Sequence, residues 1–251
     1  MMGGSMREGP AASDVFVSTM PERYRESFEA AEVAEHGVIV DRRGGASAHI
    51  EVWRRLPENI TVVCIVADDR PGLLSRITAS LVIHSMDIVS AQAYTRTLPS
   101  GHGEAVDFLW LRRVGGGGPA LSDAECARIG DVLRALVAGE MSIDAAFSGV
   151  RPLPEVRQAF ATRIALTESA KGELVMTVET SDRPGLLLAI TRALFRAGVQ
   201  IVTSNATTSN GLVSDRFTLV EADGSSITEK RRRAIQTDVL AAVDSVARGP
   251  R

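Results

Sequence analysis

The hexapeptide DRPGLL occurs twice, at Asp69–Leu74 and at Asp182–Leu187, and each copy closes an apolar run and opens a helix-like one. The copies lie 113 residues apart, and the offset holds without a gap from Val62–Thr95 to Val175–Thr208. Along it Ile77 aligns with Ile190, Thr78 with Thr191, Leu81 with Leu194, Ile88 and Val89 with Ile201 and Val202, and Thr95 with Thr208. Apolar identity is kept at helical spacing in one stretch and at strand spacing in the next. The chain therefore reads as two copies of one folding unit.

In the first unit, Ser47–Arg55 alternates in character, LPEN makes a turn and ITVVCIVA (Ile60–Ala67) reads as a buried strand, so the two should form a hairpin. A helix is expected from Pro71 to His84, with proline inside its first turn, where a missing N–H costs nothing. Strands follow at Met86–Thr97 and Glu104–Arg113. Ser122 and Glu125 then announce a second helix, to Ala138, by a capping box. The second unit repeats the order: strands at Thr162–Glu168 and Glu173–Thr180, a helix at Pro184–Ala197 stopped by Gly198, two strands joined through Ser-Asn-Gly at Ser209–Gly211, and a helix from Thr228. Residues 1–20 read as a disordered tail, 21–47 as a helical segment, 48–138 and 161–251 as the two domains and 139–160 as a linker. Each unit is strand, strand, helix, strand, strand, helix. That order predicts an α+β fold of two ferredoxin-like sandwiches, each a four-stranded antiparallel sheet with two helices on one face. Local hairpins are favoured over exchange of the leading strands, because short turns pair neighbours. The sheets are expected to meet side by side or face to face.

The chain's 251 residues accommodate two domains of about 100 residues, and 45% hydrophobic content supplies a core for each. A net charge of −3 gives no general attraction to nucleic acid or anionic membrane. Aromatic residues make up 4%, and neither central strand carries the basic-glycine-aromatic pattern that stacks bases. The longest apolar runs fall far short of the roughly 20 residues needed to span a bilayer. The first residues lack the apolar core of a secretory signal, so the cytoplasm is the expected location. Cys64 and Cys126 are in no CxxC pair, and neither a disulfide framework nor a metal or cofactor site is expected.

The repeated loop is the candidate binding site. The first-turn N–H groups of Gly72, Leu73 and Leu74, and of Gly185, Leu186 and Leu187, lack intrahelical acceptors and sit at the positive end of a helix dipole, where they can receive a carboxylate. Glycine admits a ligand close to the backbone, and Asp69 or Asp182 could pair with an ammonium group. The plainer alternative makes both aspartates helix caps. Trp53, Phe108 and Trp110 read as core or interface residues, Lys230–Arg233 as a solvated helix face and His84 as a helix-end residue on free carbonyls.

DRPG followed by a helix and a strand resembles the ACT domain family, small ligand-binding regulatory modules of ferredoxin-like fold. The resemblance covers residues 48–138 and 161–248. With the preceding MPERYRESFEAAEVAEH, the tandem arrangement is most similar to the C-terminal regulatory part of the PII uridylyltransferase/uridylyl-removing enzyme. The resemblance implies an amino acid ligand, with glutamine a candidate, and a regulated partner protein. It implies a site over Asp69, Pro71, Gly72, Leu73 and Leu74, and over Asp182, Pro184, Gly185, Leu186 and Leu187. It adds Asp87 and Gln200, at the start of the strand after each helix. Ser85 stands where the second unit has Gly198. No Asp-x-Asp pair and no His-Asp dipeptide is present, so the nucleotidyl-transfer and hydrolytic chemistry of that family is not expected and no catalytic residue is assigned. Two classes of function remain, an amino acid sensor and a ligand-free pairing scaffold. Assembly as a homodimer is left open.

Overall fold

The computed structural model describes residues 12–148, 160–170 and 172–248. Three helices lead, α1 (Ala12–Thr19), α2 (Glu22–Ser27) and α3 (Ala30–Arg42). The first unit runs β1 (Ala48–Arg55), β2 (Thr61–Asp68), α4 (Leu73–Ile83), β3 (Met86–Thr97), β4 (Gly103–Arg113) and α5 (Asp123–Ala138). A short α6 (Ile143–Ala146) precedes the second, which runs β5 (Arg163–Glu168), β6 (Leu174–Ser181), α7 (Leu186–Arg196), β7 (Val199–Ser209), β8 (Leu212–Glu221) and α8 (Glu229–Arg248).

All strand pairs are antiparallel, and the strands form one sheet in the order β1-β2-β4-β3-β7-β8-β6-β5. The leading strands pair locally with β2 and β6, without exchange. Of the two meetings expected for the four-stranded sheets, the side-by-side one is formed, and β3 and β7 join the halves into one eight-stranded sheet rather than two of four strands. Each would otherwise leave a row of unpaired backbone groups, and pairing removes both edges at once. In that joint Gln92 lies opposite Asn205, its own mate in the repeat. Above it the hydroxyls of Thr78 and Thr191, also mates, are 3.3 Å apart. The units are thus related by a local two-fold axis passing between β3 and β7 and between α4 and α7.

The inward side chains of both halves merge into one core beneath α4, α5, α7 and α8, with Ile65, Ile77, Leu109, Ile129 and Leu133 from one unit and Met176, Ile190, Phe217, Ile235 and Val239 from the other. The outer faces differ. In β8 the pattern is strict alternation, with Val213, Asp215, Phe217 and Leu219 buried and Arg216 exposed. In β2 every residue from Thr61 to Ala67 is buried, because α1 to α3 cover the other side. Phe16, Met20, Tyr24, Val33, Ile39 and Val40 pack there on Cys64, Val66, Tyr94, Val106 and Phe108. Phe108 is fully buried, and Trp53 and Trp110 lie partly buried against this cluster.

Residues 12–20, read as part of a disordered tail, instead fold: α1 buries Phe16, and Met20 just beyond its end is buried too. The apolar residues are too few for a pattern, and the helix is held by the sheet rather than by its own propensity. Residues 1–11 lie outside the described residues, as do 149–159 of the expected linker. The rest of that linker is structured, with Met141, Ile143, Ala146 and Phe147 packed on Ala79, Val82, Leu136 and Leu188. His84 meets the carbonyl of Ser80 at 2.8 Å. Ser85, with φ 57°, occupies the left-handed position that Gly198 takes in the second unit. No helix among the described residues is long and apolar enough to cross a membrane.

Candidate functional site

The helices begin later than the sequence pattern predicts, at Leu73 and Leu186, and the prolines lie outside them. Arg70-Pro71-Gly72-Leu73 is a tight turn closed by the Leu73 N–H on the Arg70 carbonyl at 3.0 Å, and the Leu186 N–H closes its counterpart on Arg183 at 3.2 Å. Proline fixes the second position of such a turn, and the third needs positive φ. Gly72 and Gly185 both have φ 78°. The turn thus accounts for the Pro-Gly pair. It also withdraws Leu73 and Leu186 from the expected set of free donors. The amides of Gly72, Leu74 and Ser75, and of Gly185, Leu187 and Leu188, meet no acceptor among the described residues. They are available to an anion.

Neither aspartate is a helix cap, since the N-cap residues are Gly72 and Gly185 and no side chain caps either helix. Asp69 accepts a bond from the Thr95 hydroxyl at 2.9 Å. Burial raises its pKa, and the Thr95 bond opposes the rise. The cavity beside it, about 40 Å³, is lined from both units: Asp69, Leu74, Thr95 and Asp107 from the first, Gln200 and Phe195 from the second. A cavity of about 20 Å³ by the second loop is lined by Asp182, Arg183, Thr208 and Asp215 from its own unit and Met86 and Asp87 from the first. The two expected strand residues therefore sit crosswise, Gln200 at the first loop and Asp87 at the second. Both strands carry a bulge just beyond them, at Val89 and at Val202.

Asp107 and Asp215 were not anticipated. They occupy matching places, opposite Ala93 in β3 and Ala206 in β7. Asp107 is 4% exposed and Asp215 2%. The Tyr94 amide donates to Oδ1 of Asp107 at 3.2 Å, and no hydrogen bond among the described residues reaches the other oxygen. Burial raises both carboxyls to about 8, so each is protonated near neutrality and can donate as well as accept. Each cavity thus pairs a loop aspartate with a buried carboxylic acid.

The sites differ in what already fills them. At the second, Arg112 reaches from β4 to Asp182 Oδ2 at 2.8 Å and to Asp87 Oδ2 at 2.9 Å. Asp182 has a raised pKa through burial and the neighbouring Asp87 charge, with Arg112 opposing both. At the first, the ring of Phe195 covers Gly72 so closely that a Cβ there would lie 2.7 Å from it. Glycine is required beneath that ring as well as by the turn, and direct approach to this backbone is shut on that side. Phe195 is itself 41% exposed. Among the described residues no group of three or more His, Cys, Asp or Glu side chains could hold a metal ion.

No protein-family model matches the chain. It is 28% identical over 245 residues to the bifunctional uridylyltransferase/uridylyl-removing enzyme of Phenylobacterium zucineum, covering 95% of this chain and 25% of that protein. The enzymes of the same name from Rhodospirillum rubrum and Caulobacter vibrioides are each 25% identical, over 96% of this chain and 26% of theirs. The chain spans about a quarter of the length of the curated relatives it matches. Among solved structures, a fused permuted hexameric shell protein from the RMM microcompartment aligns at 15% identity over 80% of this chain and 97% of its own, with a TM-score of 0.25, which carries no argument about the fold.

Proposed function

We propose that the chain is an amino-acid-binding regulatory module built from two ACT-type ferredoxin-like units, each with two helices on one face of its half of the sheet. It reads an α-amino acid, glutamine first among the candidates, and presents a changed surface to a partner protein of nitrogen regulation. The observation that carries this reading is the crossed construction of the cavities, each made from a DRPG loop of one unit and the post-helix strand of the other. A ligand held there touches both units, so binding and inter-unit packing are coupled. Similarity to uridylyltransferase/uridylyl-removing enzymes over nearly the whole chain supports a role in the same regulation.

In this reading the ligand carboxylate takes the amides of Gly72, Leu74 and Ser75, and its ammonium group lies between Asp69 and Asp107. A cavity of about 40 Å³ has room for water rather than for a whole amino acid. Phe195 must therefore swing aside, and because it belongs to α7, its motion carries the binding event into the second unit. The chain regulates without transferring uridylyl groups: it has no Asp-x-Asp pair to hold the metal ions that phosphoryl transfer requires.

A thermal-shift screen over the common amino acids tests the ligand, since one present at 100 times its dissociation constant stabilises by about 2.7 kcal/mol. Incubation with labelled UTP, magnesium and PII tests the chemistry. A shift with glutamine and no label transfer is the expected result. Label transfer that survives repurification, or a screen with no shift at all, contradicts the reading.

A further inference from the structure

The two cavities share a design but not their contents, and the difference in charge lies in one pair of residues. At the second loop the pair is Asp87 and Arg112, facing each other across β3 and β4. Gln200 and Val220 face each other at the same place across β7 and β8. Arg112 uses that position to place its guanidinium between Asp87 and Asp182, with Nε also donating to Asp87 at 3.0 Å. A guanidinium there supplies the positive charge and the N–H donors that a ligand ammonium would bring. Val220 has neither. At the first loop Asp69 has no cationic partner among the described residues, and its neighbour Asp107, 96% buried by its 4% exposure, keeps an oxygen without a hydrogen bond at the cavity.

We propose that the chain has one ligand site, at the Asp69 loop, and that Arg112 is the resident occupant of the ammonium position at the Asp182 loop. This rests on the amino-acid-binding reading above and narrows it: the second loop is a structural copy, held shut by an ion pair between the units. An amino acid entering there would have to displace a guanidinium bonded to two carboxylates, one of them, Asp87, itself 8% exposed. At the first loop it has to displace only a partly exposed aromatic ring. Displacement at the first loop is the easier, because at the second it would take the Arg112 guanidinium away from both of the carboxylates it bridges.

Calorimetric titration of the whole chain with L-glutamine, and in parallel with each other common amino acid, separates the possibilities. The wild type should bind one molecule per chain. Asp69→Asn should weaken binding at least tenfold, and Asp182→Asn should leave it within twofold. Exchanging the distinguishing pair gives the stronger test. The double variant Asp87→Gln/Arg112→Val places the first site's pair in the second, removes the plug and should bind two molecules. Gln200→Asp/Val220→Arg copies the plug into the first and should bind none, while still melting in one transition. Because each double variant uses residues the fold already carries at the matching place, loss of folding is not the expected cause of either change. Two sites in the wild type, equal loss from Asp69→Asn and Asp182→Asn, or a folded Asp87→Gln/Arg112→Val variant that still binds one molecule would overturn the inequality while leaving the sensor reading intact. Absence of binding by both the wild type and that variant, for every amino acid, would overturn the sensor reading and this inference with it.

Discussion

Two buried carboxyls give the molecule a pH dependence of known sign. Asp107 and Asp215 ionise near 3.8 when unfolded and near 8 when folded. The folded state therefore holds protons that the unfolded state has lost. The associated stability is complete below pH 3.8 and is lost as pH rises towards 8. His36 works in the opposite sense: burial lowers it from 6.5 to about 4, so its contribution is lost as pH falls through that window. Between pH 6.5 and 8 the carboxyls alone of these groups should govern the slope. Urea unfolding there should show stability falling with pH in the wild type and falling less in Asp107→Asn. An unchanged slope would mean that Asp107 is already ionised in the folded protein. The loop aspartates were legible in the sequence because they sit in a repeated motif at a gapless offset. Asp107 and Asp215 were not, because they are 108 residues apart and the shorter turn between β7 and β8 breaks the alignment before it reaches them. The signal available was an aspartate at the inward parity of an apolar strand, in both copies.

Most elements were legible, since strand alternation, the Ser122 capping box and the Asn210-Gly211 turn each encode a local geometry that the fold uses. The helix starts were misplaced because Pro-Gly suits both a first helical turn and a tight turn, and only the hydrogen bond from Leu73 to Arg70 decides between them. The layer formed by α1, α2 and α3 was only half seen. A strand apolar on both faces, as ITVVCIVA is, calls for cover on both sides, yet the cover comes from short helices with little periodicity of their own. Tyr24 is the centre of that cover: it is fully buried, bonds His36 Nδ1 at 2.7 Å and packs edge-on against Phe16 and Tyr94. Tyr24→Ala should cost about 3 kcal/mol or more by loss of burial and the cavity left behind. Chemical denaturation measures this directly. A cost below 1 kcal/mol would show the layer to be an appendage rather than part of the first unit's core.

At the scale of the molecule, the repeat predicted two similar units, and their union into a single sheet follows from edges that neither unit covers alone. The same two-fold arrangement brings each loop to the other unit's strand, and this is why the cavities could not be assembled from one unit's sequence. It also makes Arg112 a tie across the joint at one cavity and leaves Gln200 uncharged at the other. The central claim is that an amino acid binds between the units at the loop amides. Amide hydrogen exchange with and without saturating L-glutamine tests it most directly. The account predicts slowed exchange at Gly72, Leu74 and Ser75 and along Phe195 to Gln200, with the amides of Gly185, Leu187 and Leu188 far less affected. Exchange at Gly72, Leu74 and Ser75 that is unchanged by glutamine and by every other common amino acid would contradict it.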